Sequence, residues 1–512
     1  MIRFSLVPML LVGLGLAAQA PAAADGKRLA LQEAIQTALQ NNLQVGIAQA
    51  TLDSSRAGVQ VGQGSFDWNL AANASLGRYD SASDSPLYTG SPVYRIDNTA
   101  TAKLFNADLN KAFTWGGSLD LNYAPAFNST HTLIINGLVA PNGTVLGNYD
   151  YSTPYPWTAG LTMTYTQNLL QGFGREVATA NLVVARRNAE AADFNFQLAI
   201  INLIAATETQ YWDLVYAARF LDNKEATLRL AQKQLENTQI LLQNGSIAPL
   251  DLISAQAQVA QAKQDLIAAR AQRANAQDTL LRALYPSGTR PGALVPTDAP
   301  DLAYSQLDED AAVRQALDRR VELKAQRVNR EISTLQAKVA ADRTRPQLSA
   351  FASYNGATEN HATYSQVNSD LAGLKYPGYT VGLKFAVPIQ NNAARGALGQ
   401  ARANLRGSEL TLKDAEQSVS LQVRTAVRNL LAAGEGVKAA QETSYYQQKN
   451  LEAEQTKFAN GKSTNFIVLQ VLTNLDNARN AELLAQVSYA KAVTAFEQAV
   501  GNLPQARHLT IQ

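Results

Sequence analysis

The 512-residue chain has no cysteine. That excludes disulfides, thiol chemistry and cysteine-ligated metal sites, as well as the lipid-acceptor cysteine that tethers a mature bacterial lipoprotein. Only three histidines are present, His131, His361 and His508. They lie far apart in sequence and support neither a metal site nor a histidine-based catalytic group. Charge is scarce too: 17% of residues are charged and the formal net charge is +2, against about 25% charged residues in soluble domains. A near-neutral chain gives no reason to expect a nucleic acid partner. After the first two dozen residues there is no apolar run of eighteen, which argues against membrane-spanning helices. Two cofactor-like fragments fail on inspection. Gly461-Lys462-Ser463-Thr464 ends like a phosphate loop, but Thr456 stands where the first glycine is required, and Gly172-Phe173-Gly174 lacks the third glycine of a dinucleotide fingerprint. No cofactor or metal is expected, and nothing argues for an enzyme.

What the chain does have is a duplication. Ala185 to Leu284 aligns without a gap on Ala401 to Val500, 216 positions on, so that Gln232-Lys233-Gln234-Leu235-Glu236 returns as Gln448-Lys449-Asn450-Leu451-Glu452. Inside this stretch Leu221, Leu228, Leu235 and Leu242 recur every seven residues, and so do Ala255, Ala262, Ala269, Ala276 and Ala283. A second column, Leu252, Val259, Leu266 and Leu280, is answered by Val468, Leu475, Tyr489 and Phe496, and is interrupted once in each copy, by Arg273 and Glu482. Seams at this spacing are what supercoiled helices need, and small alanines let backbones approach. Between the two arms, Asn244-Gly245-Ser246-Ile247-Ala248-Pro249 offers a glycine to end one helix and a proline to begin the next. Each copy therefore predicts a long antiparallel helical hairpin.

A second alignment places Ala34 to Ser75 on Ala312 to Ser353, 278 positions on. Each repeat thus opens with a leading helix, about Gln32 to Gln63 in the first, followed by an extended part. Leu70, Ala72, Ala74 and Leu76 alternate with polar residues, as do Ala159, Leu161, Met163 and Tyr165, and Val381, Leu383, Phe385 and Val387. Such period-two alternation belongs to strands between a core and water, or between lipid and a wet lumen. The two offsets, 278 and 216, differ by 62 residues, which sit in the first repeat between Ser75 and Ala185. Leu119, Leu121 and Tyr123 alternate there after Gly116-Gly117, and the stretch from Ala126 to Pro156 is rich in glycine, proline, asparagine and serine. An extra hairpin and a large surface loop are expected. The outgoing arm is expected to be a single helix from Val177 to Gln243, about 100 Å long.

The segment before this body reads as an export signal: Arg3, an apolar run through Leu16, then small residues suited to cleavage. The expected organisation is a signal peptide over residues 1–24, a first repeat over 25–285, a linker over 286–306, a second repeat over 307–501 and a tail over 502–512. Four strands per chain, or six with the insertion, are too few to close a membrane barrel, for which about eight is the practical minimum. Open sheet edges are not tolerated in lipid. The strands should therefore be completed by further copies around an axis that also runs through the helices, which makes the assembly a passage.

The segments LALQEAIQTALQNN, TQNLLQGFGRE, FAVPIQNNAARGAL, LLQNGSIAPLDLISAQAQVAQA and KFANGKSTNFIVLQVLTNLDNA, in this order and duplicated, resemble the outer-membrane efflux protein family, the TolC-like outer-membrane factors. The resemblance covers nearly all of the chain after the export signal. It implies an α+β membrane protein: a homotrimer whose copies share one outer-membrane β-barrel, continuous with a periplasmic α-helical barrel. It also implies an exit duct that passively conducts what an inner-membrane RND or ABC transporter and a periplasmic adaptor deliver, for drug efflux or type I secretion. The hairpin tips would form the periplasmic aperture and meet the adaptor. In this chain the tips hold Asn244, Gly245, Ser246 and Asp251, and Asn460, Gly461, Lys462, Ile467 and Gln470. Gly245, Gly461 and Asp251 match the family's pattern. Ile467 and Gln470 stand where some relatives carry aspartates, so an apolar or amide-lined closure is expected in place of an acidic ring. Local chemistry offers plainer roles as well, since both glycines fit helix caps and Asp251 lies near a helix N-terminus. The competing functions are a periplasmic coiled-coil scaffold or adaptor without a pore, and a stand-alone diffusion porin.

Overall fold

A computed structural model describes residues 26–86, 93–135, 144, 148–244, 248–286, 292–302 and 307–509. The expected export signal lies outside the described residues. In chain order the elements are β1 (Lys27–Leu29), α1 (Leu31–Asn41), α2 (Leu43–Gly64), β2 (Asn69–Pro86), β3 (Val93–Ala112), β4 (Gly117–Ile135), β5 (Tyr149–Ser152) and β6 (Trp157–Asn168). There follow α3 (Arg175–Ala178), α4 (Ala180–Gln243), α5 (Pro249–Leu284), β7 (Leu294–Pro296), α6 (Glu309–Arg319), α7 (Val321–Asp342), β8 (Gln347–Ala357) and α8 (Tyr364–Ala372). The last elements are β9 (Tyr376–Ala386), α9 (Asn392–Ala459), α10 (Asn465–Val500) and α11 (Leu503–Ala506). No helix among the described residues is long and apolar enough to cross a membrane.

These elements gather into two compact units, each drawing on both sequence repeats, and the long helices α4 and α9 contribute to both. One unit holds residues 1–49, 196–321 and 416–512; the other holds residues 50–195 and 322–415.

The first unit is helical. Its seams are the columns read from sequence: Ala255, Val259, Ala262, Leu266, Ala269, Leu280 and Ala283 of α5 are buried, and Val468, Leu475, Ala478, Tyr489 and Ala499 of α10 answer them. Most polar residues of the same helices face outward, Asn465, Asp476 and Thr494 of α10 being buried, so burial of these narrow stripes holds the hairpins together. The short strands β1 and β7 pair in parallel. Around them Leu29, Leu294, Tyr211 and Leu284 close a core, where the Tyr211 hydroxyl donates to Asp298 at 2.6 Å. Beyond α10, Gly501 takes φ +78° and turns the chain into α11, whose Leu503 is fully buried against Ile35 and Ile204.

The second unit is built on an antiparallel sheet of order β2-β3-β4-β6-β8-β9, with the short β5 beside the outer end of β4. The inserted 62 residues do add a hairpin, since two long strands separate β2 from β6. The loop expected from Ala126 to Pro156 begins later than its composition suggested: β4 stays paired with β3 as far as Ile135 opposite Arg95, through the polar run Asn128 to Thr132.

Directly paired residues point to the same face of a sheet, so register reveals what each face carries. One rung runs Leu70, Leu109, Leu121, Met163, Tyr354 and Tyr379, and the next Ala72, Ala107, Tyr123, Leu161, Gly356 and Pro377. The opposite face is mostly polar, with Leu104 and Phe351 among its exceptions. Ala71, Asp108, Asn122, Thr162 and Asn355 share a rung there. On that face Asn122 donates to Asp108, Thr162 donates to Asn355 at 3.2 Å, and the hydroxyls of Thr164 and Ser353 bond at 3.0 Å.

Three expected boundaries shift for local reasons. The leading helix is two helices, parted at Asn42, whose backbone is extended. Its amide donates to the Ala283 carbonyl at 3.1 Å, and its side-chain oxygen caps α2 by accepting from the Gln44 N–H at 2.8 Å. The second repeat breaks at the matching place, where Arg320 is extended between α6 and α7. The helix expected from Val177 is interrupted at Thr179. Helix α8, between β8 and β9, has no counterpart in the sequence reading: it is short and polar, and it is held by Val367 buried beneath it and by the Tyr364 ring tilted against Trp157.

Candidate functional site

The aperture residues expected from sequence fall on two tips within the helical unit. In the first tip Asn244 closes α4, its N–H donating to the Ile240 carbonyl at 3.1 Å. Gly245 and Ser246 lie outside the described residues. Pro249 occupies the first position of α5, and the Asp251 carboxylate turns back to accept the Ala248 N–H at 3.3 Å. Favourable interaction with the helix N-terminus therefore accounts for Asp251. Leu250 and Ile253 beside it are exposed.

The second tip is tied more tightly. Gly461 takes φ +70°, and the N–H groups of Gly461 and Lys462 donate to the carbonyls of Phe458 and Lys457 at 3.0 and 2.9 Å. This is the left-handed glycine end that satisfies a helix's last carbonyls. Asn460 donates its amide to the Thr456 carbonyl at 2.7 Å. Beneath the turn, Glu454 accepts from Ser463 and from Lys457, the latter at 3.0 Å. Those two partners hold its carboxyl below the ordinary range. Ile467, Gln470 and Phe466 share the exposed face of α10.

A residue that the sequence did not single out joins the tips. Asn465, fully buried, accepts from Gln234 at 2.9 Å and donates to the backbone carbonyl of Asp251 at 3.1 Å. It therefore binds the first hairpin from both of its arms. Two more polar contacts cross the coil farther from the tips. Lys224 donates to Asp476 at 2.6 Å and Thr227 to the other oxygen at 2.7 Å. The wholly buried Glu208 accepts from Arg507 at 2.6 and 2.9 Å and from Thr494 at 2.6 Å. This pairing keeps the Arg507 guanidinium's pKa above its ordinary value. These partners lie hundreds of residues apart, so no local pattern signals them. Of the two charges that interrupt the apolar columns, Glu482 accepts from Gln486 on its own helix at 3.2 Å, while Arg273 is partly exposed.

Two of the histidines find carboxylates: His131 lies 2.7 Å from Asp150 and His361 2.6 Å from Asp370. Among the described residues no cluster of histidine and carboxylate side chains has metal-binding geometry.

Comparison with known proteins now identifies the architecture. The model of the outer membrane efflux protein family matches residues 147–284 and 312–502. The outer membrane protein TolC of Escherichia coli (strain K12) is 25% identical over 371 residues, which cover 70% of this chain and 73% of that one. Among solved structures, the outer-membrane channel OprN superposes with a TM-score of 0.67 at 16% identity, covering 92% of this chain and 90% of that one. The Campylobacter jejuni outer membrane channel CmeC gives 0.62 at 14%, covering 92% and 86%. These likenesses favour a channel over a pore-free periplasmic scaffold. The chain belongs to the outer membrane efflux protein family and is an efflux channel of the outer membrane.

Proposed function

We propose that three copies of the chain close one barrel, the β2 edge of each pairing with the β9 edge of the next. They conduct passively what an inner-membrane RND or ABC transporter and its periplasmic adaptor deliver. The observation that carries this reading is the sheet itself. Among the described residues its outermost strands, β2 and β9, each have only one hydrogen-bonded neighbour, and apolar side chains on them are bare: Leu70 is 69% exposed and Val381 82%. In lipid the bare side chains are favourable, but an open edge leaves a row of unsatisfied backbone groups. Copies of the same strands supply the missing partners, and the polar rungs then face the bore.

On this reading the exposed apolar residues of the tips, Leu250, Ile253 and Phe466, together with Asn244, Gly245, Ser246, Asp251, Asn460, Gly461 and Lys462, form the adaptor-docking end. Ile467 and Gln470 line the closure. No cofactor takes part and no bond is broken; the work is done by the pump.

The mass of the detergent-solubilised protein tests the assembly. Three chains per particle are expected, and a monodisperse monomer overturns the proposal. A photo-crosslinking residue at Leu250 or Phe466 should capture a periplasmic adaptor protein in cells that express the channel, whereas one at Arg428 should not.

A further inference from the structure

Only four of the six long strands connect directly to helices at the inner end of the sheet: α2 leads into β2, β6 into α3, α7 into β8 and β9 into α9. The inserted pair, β3 and β4, meets that end through the tight turn Phe113–Gly117, where no helix follows and the Phe113 N–H donates to the Gly117 carbonyl at 2.8 Å. An inserted hairpin has two possible homes: above the membrane as a surface flap, or in the wall.

We infer that β3 and β4 are wall strands, so that the barrel formed by three chains has eighteen strands, three times six, and a porin-width bore. This rests on the trimeric barrel proposed above and deepens it. Three observations place the hairpin in lipid. First, it continues the sheet without interruption: β2 pairs with β3 over the whole length of β2, and β4 pairs with β6 from Gly117 opposite Gln167 to Phe127 opposite Trp157. Second, its two faces agree with those of its neighbours. Phe105, Ala107 and Leu109 of β3 and Leu119, Leu121 and Tyr123 of β4 fall on the apolar face, while Asp108, Asn110, Asp120 and Asn122 fall on the polar one. A one-residue slip would have exchanged these faces.

Third, two lysines bracket the apolar segment of β3 on its apolar face. Lys103 lies 5.1 Å from the Phe127 ring and Lys111 5.0 Å from the Trp68 ring. They are eight residues apart, which is about 27 Å along a strand and about 20 Å of height at the tilt of a membrane barrel. Lysine stems laid along apolar surface, with ammonium groups reaching toward the headgroups and aromatic rings beside them, are what the two edges of a band about 25 Å tall require. A flap in water has no use for two such borders. Past the outer border polar side chains enter the apolar face of β2 and β3, with Asp80, Asp97 and Thr99 where it would continue; Thr99 donates to Asp80 at 2.7 Å. Barrel diameter grows roughly in proportion to strand number. The inserted pair thus widens the bore about one and a half times over what the four helix-linked strands would enclose, and puts it in the range of water-filled porins.

The absence of native cysteine makes the test direct. Spin labels at Ala107→Cys, Leu121→Cys, Leu70→Cys and Val381→Cys, one per variant in the full chain reconstituted in phospholipid vesicles, should all relax with dissolved oxygen and resist a water-soluble nickel chelate. Labels at Asn106→Cys and Asn122→Cys should show the reverse. Nickel access at Ala107 and Leu121 with lipid exposure retained at Leu70 and Val381 overturns the wall assignment alone. Nickel access at all four overturns the barrel proposal with it. Strand counting in an electron cryomicroscopy map of the native trimer gives a second measurement: eighteen is expected, and twelve refutes the inference.

Discussion

In the sheet, Val381 and Leu383 are 82% and 71% exposed, while the threonines and asparagines of the other face bond to one another. In the helical unit the apolar columns are hidden, and the polar groups that are hidden with them, Glu208, Asp476 and Asn465, are each matched to a partner. One chain therefore follows two opposite rules of exposure. The difference lies in the solvent for which each region is built: lipid outside the sheet, water outside the coil. Apolar exposure is normal for the first and would be an aggregation hazard in the second. A buried carboxylate is tolerable in the coil only where it is paired.

The largest effect should come from removing a partner inside the coil. Arg507→Met leaves the Glu208 carboxylate buried with Thr494 alone, and a loss of about 3–5 kcal/mol is expected, read as a lowered midpoint of thermal unfolding by circular dichroism. Combining it with Glu208→Gln should restore much of that loss, because the penalty comes from the unpaired charge and not from the lost packing. In the sheet the sensitivity should depend on face. Val381→Arg should cost about 2–4 kcal/mol of folding stability in a bilayer, whereas Thr380→Arg, one residue away on the polar face, should fold normally; equal losses would erase the contrast between the two regions. Smallest and most local, Asn465→Ala leaves the Gln234 amide and the Asp251 carbonyl without their partner, at about 1–3 kcal/mol. Hydrogen exchange at Asn244 and Asn460 should quicken while that at Leu280 stays slow.

Much of this was legible from periodicity. The heptad columns of α5 and α10, the alternation at Leu70–Leu76 and Ala159–Tyr165, and the extra hairpin near Leu119 all follow from spacing, because a seam or a two-sided sheet imposes its period on every residue it uses. The end of α9 at Gly461 was legible for a different reason: a left-handed position favours glycine. What escaped were contacts between distant positions. Asn465 looks like any polar residue at a helix start until Gln234 and Asp251 are folded against it. Arg507 lies near the end of the chain, in what reads as a tail, yet it neutralises a carboxylate almost three hundred residues away. The break at Asn42 was hidden because its cause, the Ala283 carbonyl, lies in another helix. Helix α8 was missed because nine residues with one buried valine carry too little pattern.

The turn at Phe113–Gly117 has a consequence for how such channels diversify. Gly116 adopts φ +90°, and a Cβ there would lie 2.5 Å from the Gly172 carbonyl oxygen, while one on Gly117 would strike the Tyr165 hydroxyl at 2.6 Å. The backbone is thus folded close against its neighbours where β3 turns into β4. Because that junction needs just two glycines and no new helix, circumference can be gained by splicing in a ribbon while the coiled shaft keeps its register. The mouth and the shaft of such a duct are then free to evolve on separate schedules.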